Sequence, residues 1–240
     1  MHKLLIICGP TATGKTKLAF HLAQLFNAEL ISADSRQVYR GMDIGTGKDL
    51  PVNFEFRVSS FEFNTKKISY YTDGKTRIWG LDVVNPDEEF SVAHFRQYTN
   101  IVLPTIFARK KLPIIVGGTG LYIKSILEPL GDIAVPQNPS LRDELAHLSV
   151  SNLQERLLRV DEDRLDRMNN SDRNNPRRLI RAIEIGEYYK THMTYKAHKT
   201  HTKDHLIIGL TAPLETLRKN ISTRVVERMQ NGMMEETVRL

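Results

Sequence analysis

The first part of the chain alternates short apolar runs with longer amphipathic stretches. Apolar runs at residues 3–8, 29–33 and 112–116 have the length of buried strands. Apolar residues at helical spacing follow the first run through Phe26, and Ser91 can cap a helix that ends near Lys110. Strands that alternate with helices in this way predict an α/β fold with a parallel sheet.

An excursion within about 49–79 follows a different pattern. Phe54, Phe56 and Val58 alternate with polar residues, as in strands that have one exposed face. Asp73-Gly74 is a turn signal of the hairpin type. We therefore expect a small antiparallel β structure inserted before the third strand of the core.

Residues 129–204 predict helices and no strands. Ser151 and Gln154 have the spacing of a capping box at one helix start. Asn175-Pro176 places a capping side chain before a proline at the first helical position. The block therefore predicts an all-helical insertion.

After the helical block the chain returns to the core pattern. Residues 205–210 predict a strand, and residues 214–240 predict one amphipathic helix. The predicted organisation is a core formed by residues 1–128 and 205–240, interrupted by a helical insertion domain at 129–204.

Composition adds two constraints. The 240 residues carry a net charge of +6, and residues 164–205 hold ten Lys/Arg against five Asp/Glu. Such a local basic excess is typical of proteins that bind nucleic acid, although a solvated helical surface explains it equally well. Cys8 is the only cysteine, and no run approaches the roughly 18 apolar residues of a membrane span. We therefore expect no disulfide, no membrane contact and a cytoplasmic protein.

A phosphate-binding motif lies directly after the first apolar run. It reads G-x-x-x-x-G-K-T and consists of Gly9, Pro10, Thr11, Ala12, Thr13, Gly14, Lys15 and Thr16. Its glycines let several backbone N–H groups point at one anion, Lys15 adds a positive charge, and the Thr16 hydroxyl can ligate Mg²⁺. The motif and its flanks predict a P-loop NTPase-like parallel sheet core flanked by helices.

Two further strand ends are expected beside this loop, because ligands bind at the carboxyl ends of parallel strands. Asp34 follows the second strand and, near Lys15 and a metal, can accept a proton from a nucleophile. An aspartate that only caps the next turn is the alternative. The third strand ends in Gly117-Gly118, without the carboxylate that a P-loop ATPase uses to hold Mg²⁺. We therefore expect the loop to hold a polyphosphate leaving group rather than a hydrolysed triphosphate.

Three arginines lie within five residues at the start of a predicted helix: Arg177, Arg178 and Arg181. They repel one another unless anions offset their charge, so we predict contacts with nucleic-acid phosphates. Pairing to nearby acids such as Glu184 is the alternative. Arg224 and Arg228, on the last predicted helix, can also reach phosphates, but a solvated face explains them almost as well.

Four stretches together resemble the tRNA dimethylallyltransferase family, also called the tRNA isopentenyltransferases. They are the phosphate-binding motif, I-S-A-D-S at 31–35 continuing to Y-R-G-M-D-I-G-T at 39–46, V-G-G-T-G-L-Y at 116–122, and N-P-R-R-L-I-R-A at 175–182. They occur in the order that the family has. The second and third stretches are much more specific than the phosphate loop, which many families share.

The resemblance implies transfer of a five-carbon prenyl group from dimethylallyl diphosphate to the exocyclic amine of the adenosine just 3′ of the anticodon in tRNA. It implies catalytic roles for Asp34 as general base, for Lys15, and for Thr119 near the reacting carbon, with Mg²⁺ at Thr16. Residues that would contact tRNA are Asp34, Ser35, Arg36, Gln37, Thr119, Arg142, Arg177, Arg178 and Arg181. Arg142 is displaced by one residue from the arginine of the family pattern. The adenosine must leave its stack to react, and the enzyme is expected to be a monomer.

The chain departs from the family pattern in two places. Residues 49–79 do not match it, and family members usually continue for tens of residues beyond the position of Leu240, so we expect a truncated or unusually short member. A small-molecule or nucleotide kinase with the same loop is the rival enzyme class, although the missing carboxylate and the basic helical block argue against it. A non-catalytic RNA-binding protein whose loop only senses a nucleotide is the third possibility.

Overall fold

The computed structural model describes residues 3–48, 50–128, 131–192 and 204–240. The chain divides into two compact units, Met1–Glu128 with Thr200–Leu240, and Pro129–Lys199. We call them the core unit and the helical unit. The helical prediction at 129–130 and 193–203 lies outside the described residues, and so do the basic residues Lys196, Lys199 and Lys203.

The described part of the core unit is built on one seven-stranded sheet with the order β3-β4-β5-β2-β6-β1-β7. The strands are β1 (Lys3–Cys8), β2 (Ala28–Ser32), β3 (Glu55–Phe63), β4 (Lys66–Thr72), β5 (Arg77–Trp79), β6 (Leu112–Gly117) and β7 (Asp204–Gly209). The five strands from β5 to β7 are parallel. The predicted α/β fold with a parallel core is therefore confirmed.

The alternating pattern before the third core strand forms the antiparallel strands β3 and β4. β4 pairs with β5, and β5 pairs in parallel with β2. The excursion therefore extends the main sheet at one edge, with the Asp73-Gly74 turn between β4 and β5.

Helices cover both faces of the sheet because its central strands are buried on both sides. The helices of the first segment are α1 (Lys15–Leu25), α2 (Val92–Ala108) and α3 (Gly120–Leu127). Ile6 and Ile31 pack in the cluster that contains Phe95 of α2. Their strand neighbours Ile7 and Leu30 pack in the cluster on the α1 side. The alternation of side chains along each strand thus divides the core between the two helical layers.

The predicted single helix at 214–240 is wrong. The structure has α9 (Leu214–Gln230) and α10 (Met233–Arg239), separated by Asn231 and Gly232. Gly232 has φ = 96°, a left-handed conformation that interrupts a helix and that glycine adopts without strain. α10 is therefore a separate helix, and one of its carboxylates makes a contact that is described below.

The described part of the helical unit contains a 3₁₀ turn (Gly131–Ala134) and the helices α4 (Pro139–Leu145), α5 (Val150–Val160), α6 (Glu162–Arg167), α7 (Asn170–Arg173) and α8 (Pro176–Thr191). Leucines of α4, α5 and α8 form its core: Leu145, Leu153, Leu157 and Leu179. Asn175 caps α8 as predicted, since its side chain accepts the N–H of Arg178.

The predicted capping box at Ser151 and Gln154 is wrong. α5 begins two residues earlier, and the hydroxyl of Ser149 accepts the N–H of Asn152 at 3.2 Å. Gln154 instead donates to the carbonyl oxygen of Arg173 at 2.8 Å. Both serines suit a helix start, and α5 uses the earlier one.

A buried carboxylate ties α4 to α8. The side chain of Glu184 is 1% exposed and accepts hydrogen bonds from Arg142 Nε at 2.7 Å and from the Asn138 N–H at 2.8 Å. Arg142 Nη2 and Arg181 Nη1 also donate to it, at 2.8 and 3.1 Å. Burial alone would raise the pKa of Glu184, but these hydrogen bonds hold its pKa below the ordinary value.

We expect Glu184→Gln to lower the free energy of unfolding by about 3 kcal/mol at pH 7, because it removes one partner from a buried ion pair. Glu187→Gln is the matched control, since Glu187 lies on the same helix as Glu184 and makes only a part-exposed pair with Arg156 of α5. Its cost should stay below about 1 kcal/mol. Denaturant unfolding measures both.

The pH dependence of this effect has a fixed sign. Because the pKa of Glu184 is lowered by folding, its stabilisation is complete above the unfolded value of about 4.3 and is lost as the pH falls through the folded value. The stability difference between wild type and Glu184→Gln should therefore shrink below about pH 4. A difference that grows on acidification would contradict this account.

Candidate functional site

The phosphate-binding loop joins β1 to α1. Its backbone takes left-handed or related conformations at Gly9 (φ = 140°), Ala12 (φ = 62°) and Gly14 (φ = 84°). A Cβ atom at Gly9 would collide with the carbonyl oxygen of Leu210, so only glycine fits there. Gly14 occupies the position before α1 and has no side chain to cap it, which leaves the first N–H groups of the helix to an anion.

Lys15 lies in the first turn of α1 and folds back over the loop. Its Nζ donates to the carbonyl oxygen of Pro10 at 2.6 Å, and Thr13 Oγ1 donates to the same oxygen at 2.9 Å. Burial lowers the pKa of Lys15, Asp34 opposes this shift, and Arg224 adds to it. An anion bound in the loop would therefore stabilise the charged form of Lys15.

Two further strand ends meet beside the loop, as the sequence predicts. Thr119, after β6, accepts the N–H of Ser35 at 3.1 Å and donates its own N–H to the Ala33 carbonyl at 3.2 Å. A Cβ at Gly117 would collide with that same carbonyl oxygen, so β6 and the end of β2 can approach only with glycine at this position. The ends of β2 and β6 are thus locked together next to the loop.

Asp34 caps the turn that follows β2. Its Oδ1 accepts the N–H groups of Arg36 at 2.8 Å and Gln37 at 3.3 Å, so the capping alternative is part of its role. Within the described residues, its Oδ2 accepts no hydrogen bond, and the side chain lines the cleft described next. The carboxylate can therefore hold its turn with one oxygen while the other faces a ligand.

Gln37 links this turn to the loop that contains Gly47. Its Oε1 accepts the Ser32 hydroxyl at 3.0 Å, and its Nε2 donates to the Gly47 carbonyl at 2.8 Å. The predicted contact of Ser35, Arg36 and Gln37 with a nucleoside stays a prediction. For Gln37, both ends of the amide already have a partner inside the protein.

A cleft of about 1110 Å³ opens from the phosphate loop. Its charged lining residues are the cations Lys15, Lys17, Lys48, Lys219, Arg224 and Arg228 and the carboxylates Asp34, Asp73 and Glu227. Six apolar lining residues, which we call the apolar wall, belong to one hydrophobic cluster or pack against it: Phe20, Leu30, Leu50, Phe54, Ile78 and Leu81. The cleft therefore suits a ligand that carries both an anionic group and a hydrocarbon group.

One face of α9 also belongs to the site, and only a weak feature of the sequence indicates it. Asn220 donates to the Ala12 carbonyl at 3.3 Å, and Arg228 donates to the Gly45 carbonyl at 3.2 Å. The indication was that Arg224 and Arg228 can reach phosphates, although a solvated face explains them almost as well. The structure places α9 beside both loops, and phosphate contact of these arginines stays a prediction.

The predicted tRNA contacts of the helical unit have unequal surroundings. Arg142 and Arg181 both bind Glu184, and Arg178 forms an ion pair with Asp172. Arg177 is exposed, and its side chain forms no hydrogen bond or ion pair with another described residue. Of these four arginines, Arg177 is therefore the one whose charge is not neutralised by a carboxylate in the described part of the unit.

No group of three or more metal-ligating His, Cys, Asp or Glu side chains occurs among the described residues. Of the helices in the described ranges, none combines the length and the apolar character that a membrane crossing needs.

Comparison with known proteins gives consistent matches along the whole chain. A family model described as IPP transferase matches residues 60–240, and one described as isopentenyl transferase matches residues 2–60. The tRNA dimethylallyltransferase of Treponema pallidum (strain Nichols) is 36% identical over 242 residues, covering 100% of this chain and 70% of the relative. The tRNA dimethylallyltransferase 2 of Treponema denticola is 39% identical over 240 residues, covering 98% and 72%.

Solved structures agree with these matches. The tRNA isopentenylpyrophosphate transferase of Bacillus halodurans has a TM-score of 0.61 and 32% identity, covering 100% of this chain and 70% of its own. A eukaryotic dimethylallyltransferase studied while acting on tRNA has a TM-score of 0.73 and 25% identity, covering 98% of this chain and 55% of its own.

Proposed function

Because the chain belongs to the tRNA dimethylallyltransferase family, we propose how its cleft performs that family's reaction. The protein is an enzyme that transfers a prenyl group to tRNA. We infer that the donor is dimethylallyl diphosphate and that the acceptor is the exocyclic amine of the adenosine next to the anticodon on its 3′ side.

The observation that carries this proposal is a cleft that combines the phosphate loop, several cations and an apolar wall. A diphosphate fits the N–H groups of the phosphate loop, with Lys15 and Arg224 supplying positive charge. A five-carbon chain fits the adjacent apolar wall near Phe54 and Leu81.

Thr16 fits the proposed Mg²⁺. It is exposed in the first turn of α1 and lines the cleft, so its hydroxyl can act as one ligand while diphosphate oxygens and waters supply the rest. Bound there, Mg²⁺ would neutralise charge on the departing diphosphate.

The protein's own groups then divide the work of transfer. The bond between the allylic carbon and the diphosphate oxygen breaks, and the loop N–H groups with Lys15 stabilise the charge that grows on the leaving group. The adenine amine forms the new bond to that carbon, and Asp34 Oδ2 accepts the proton that the amine loses. Thr119 holds the turn of Asp34 through the Ser35 N–H, which keeps the base in place.

The kinase alternative has weaker support. β6 ends in Gly117-Gly118, so the strand end that holds Mg²⁺ in P-loop ATPases has no carboxylate here. A cytoplasmic location and a monomeric state are further parts of this proposal.

Supplying labelled dimethylallyl diphosphate together with tRNA that lacks the modification tests the function directly. We expect label in the tRNA, one diphosphate released per group transferred, and no consumption of ATP in a parallel reaction with small acceptors. ATP consumption without label in the RNA would replace this proposal by the kinase.

We expect Asp34→Asn to lower the transfer rate at least about a hundredfold, because an amide cannot accept the proton. The asparagine oxygen can still accept the N–H groups of Arg36 and Gln37, so the turn should persist. Since phosphate contacts dominate affinity for nucleic acid, the Kd for tRNA should change by less than about threefold. A variant as fast as wild type would remove Asp34 from the chemistry.

We expect Arg177→Ala to weaken tRNA binding and to reduce the slope of log Kd against log salt by about one, as the loss of one phosphate contact does. Lys3→Ala is the control, since Lys3 is an exposed cation at the amino end of β1, away from the ligand edge of the sheet. Equal slopes for the two variants would assign Arg177 to a solvated surface.

A further inference from the structure

A carboxylate of α10 occupies an anion-binding site made of backbone. Glu236 accepts the N–H groups of three consecutive residues, Asp43 at 2.9 Å, Ile44 at 2.7 Å and Gly45 at 2.9 Å. Successive N–H groups that converge on one anion form a nest of the kind that binds phosphate in other loops. Here the nest binds a side chain that lies 191 to 193 residues away in sequence.

The charge of Glu236 suits this position. Burial would raise its pKa, but the three N–H groups and the nearby ammonium of Lys48 hold the pKa below its ordinary value. Lys48 itself is 2% exposed and donates to Asp43 Oδ1 at 2.8 Å. The carboxylate is therefore ionised and held by charge-assisted hydrogen bonds, which are stronger than neutral ones.

The nest belongs to a loop that lines the cleft. Thr46 and Gly47, directly after the nest, form part of the cleft wall. The Gly47 carbonyl accepts from Gln37, whose N–H donates to Asp34 Oδ1 at 3.3 Å. A short series of hydrogen bonds thus runs from Glu236 through the loop to the turn that carries the proposed base.

The C-terminal helices lie close to the glycines of this loop. A Cβ at Gly47 would collide with the Arg228 guanidinium, whereas one at Gly45 would make only an ordinary contact with Glu236 Oε1 at 3.4 Å. Arg228 also donates to the Gly45 carbonyl at 3.2 Å. α9 and α10 therefore hold the loop through its backbone groups.

We propose that Glu236 is a positioning residue for prenyl transfer. Its carboxylate orders residues 43–47, so that the cleft wall and the turn of Asp34 have their working geometry before substrate arrives. The effect on transfer rests on the function proposed above, whereas the ordering of the loop does not.

The test compares Glu236→Ala, Glu236→Gln and the control Glu235→Ala, which changes an exposed carboxylate on the same helix. Glu236→Ala should lower kcat/KM about tenfold or more, and amide hydrogen exchange at 43–45 should accelerate by a similar factor. Acetate should restore activity to Glu236→Ala, because a free carboxylate can enter the vacated nest. It should not restore Glu236→Gln, whose amide fills the space and turns a donor toward an N–H group.

Faster exchange at 43–45 together with an acetate-reversible loss of turnover supports the proposal. Unchanged exchange, turnover equal to that of Glu235→Ala, or a loss that acetate leaves as it is would overturn it. If the wild-type enzyme itself transfers no prenyl group, the proposed function fails, and hydrogen exchange alone decides the role of Glu236.

Discussion

Backbone N–H groups that converge on an anion are the interaction on which the core unit depends. The phosphate loop presents them to a ligand, the turn after β2 presents them to Asp34, and the loop at 43–45 presents them to Glu236. Each arrangement needs tight backbone turns, and the phosphate loop also needs glycine where a neighbouring carbonyl lies too close for a side chain. The need for tight backbone turns therefore applies both to the loop proposed to bind the ligand and to the loops that hold the site in place.

The apolar pattern predicts most of the fold because the strands of a parallel sheet are short continuous runs and its helices repeat with the helical period. It predicts element ends less well. Ser149 and Ser151 both suit a helix start in the sequence, and the structure uses Ser149. Apolar residues at helical spacing continue past Gly232, so the break between α9 and α10 depends on one left-handed residue and on the contact of Glu236 with a distant loop.

The candidate site is likewise predictable from the sequence only in part. The loop, Asp34 and Thr119 are predictable because strand ends of a parallel sheet meet at one edge. The pairing of Arg142 with Glu184 joins residues 42 positions apart, and no local pattern indicates it. A basic excess in the sequence therefore overstates the number of charges that are free to bind phosphate. In the helical unit, some of the basic side chains neutralise a buried carboxylate, whereas Arg177 is exposed.

The decisive measurement is a crystal structure with an unreactive thio analogue of dimethylallyl diphosphate. We expect diphosphate oxygens within about 3.2 Å of the loop N–H groups and of Lys15 Nζ, and the hydrocarbon chain along the apolar wall near Phe54 and Leu81. Asp34 should face the allylic carbon across the space for an adenine. A diphosphate bound elsewhere, or a hydrocarbon chain directed into solvent with Asp34 turned away, would contradict it.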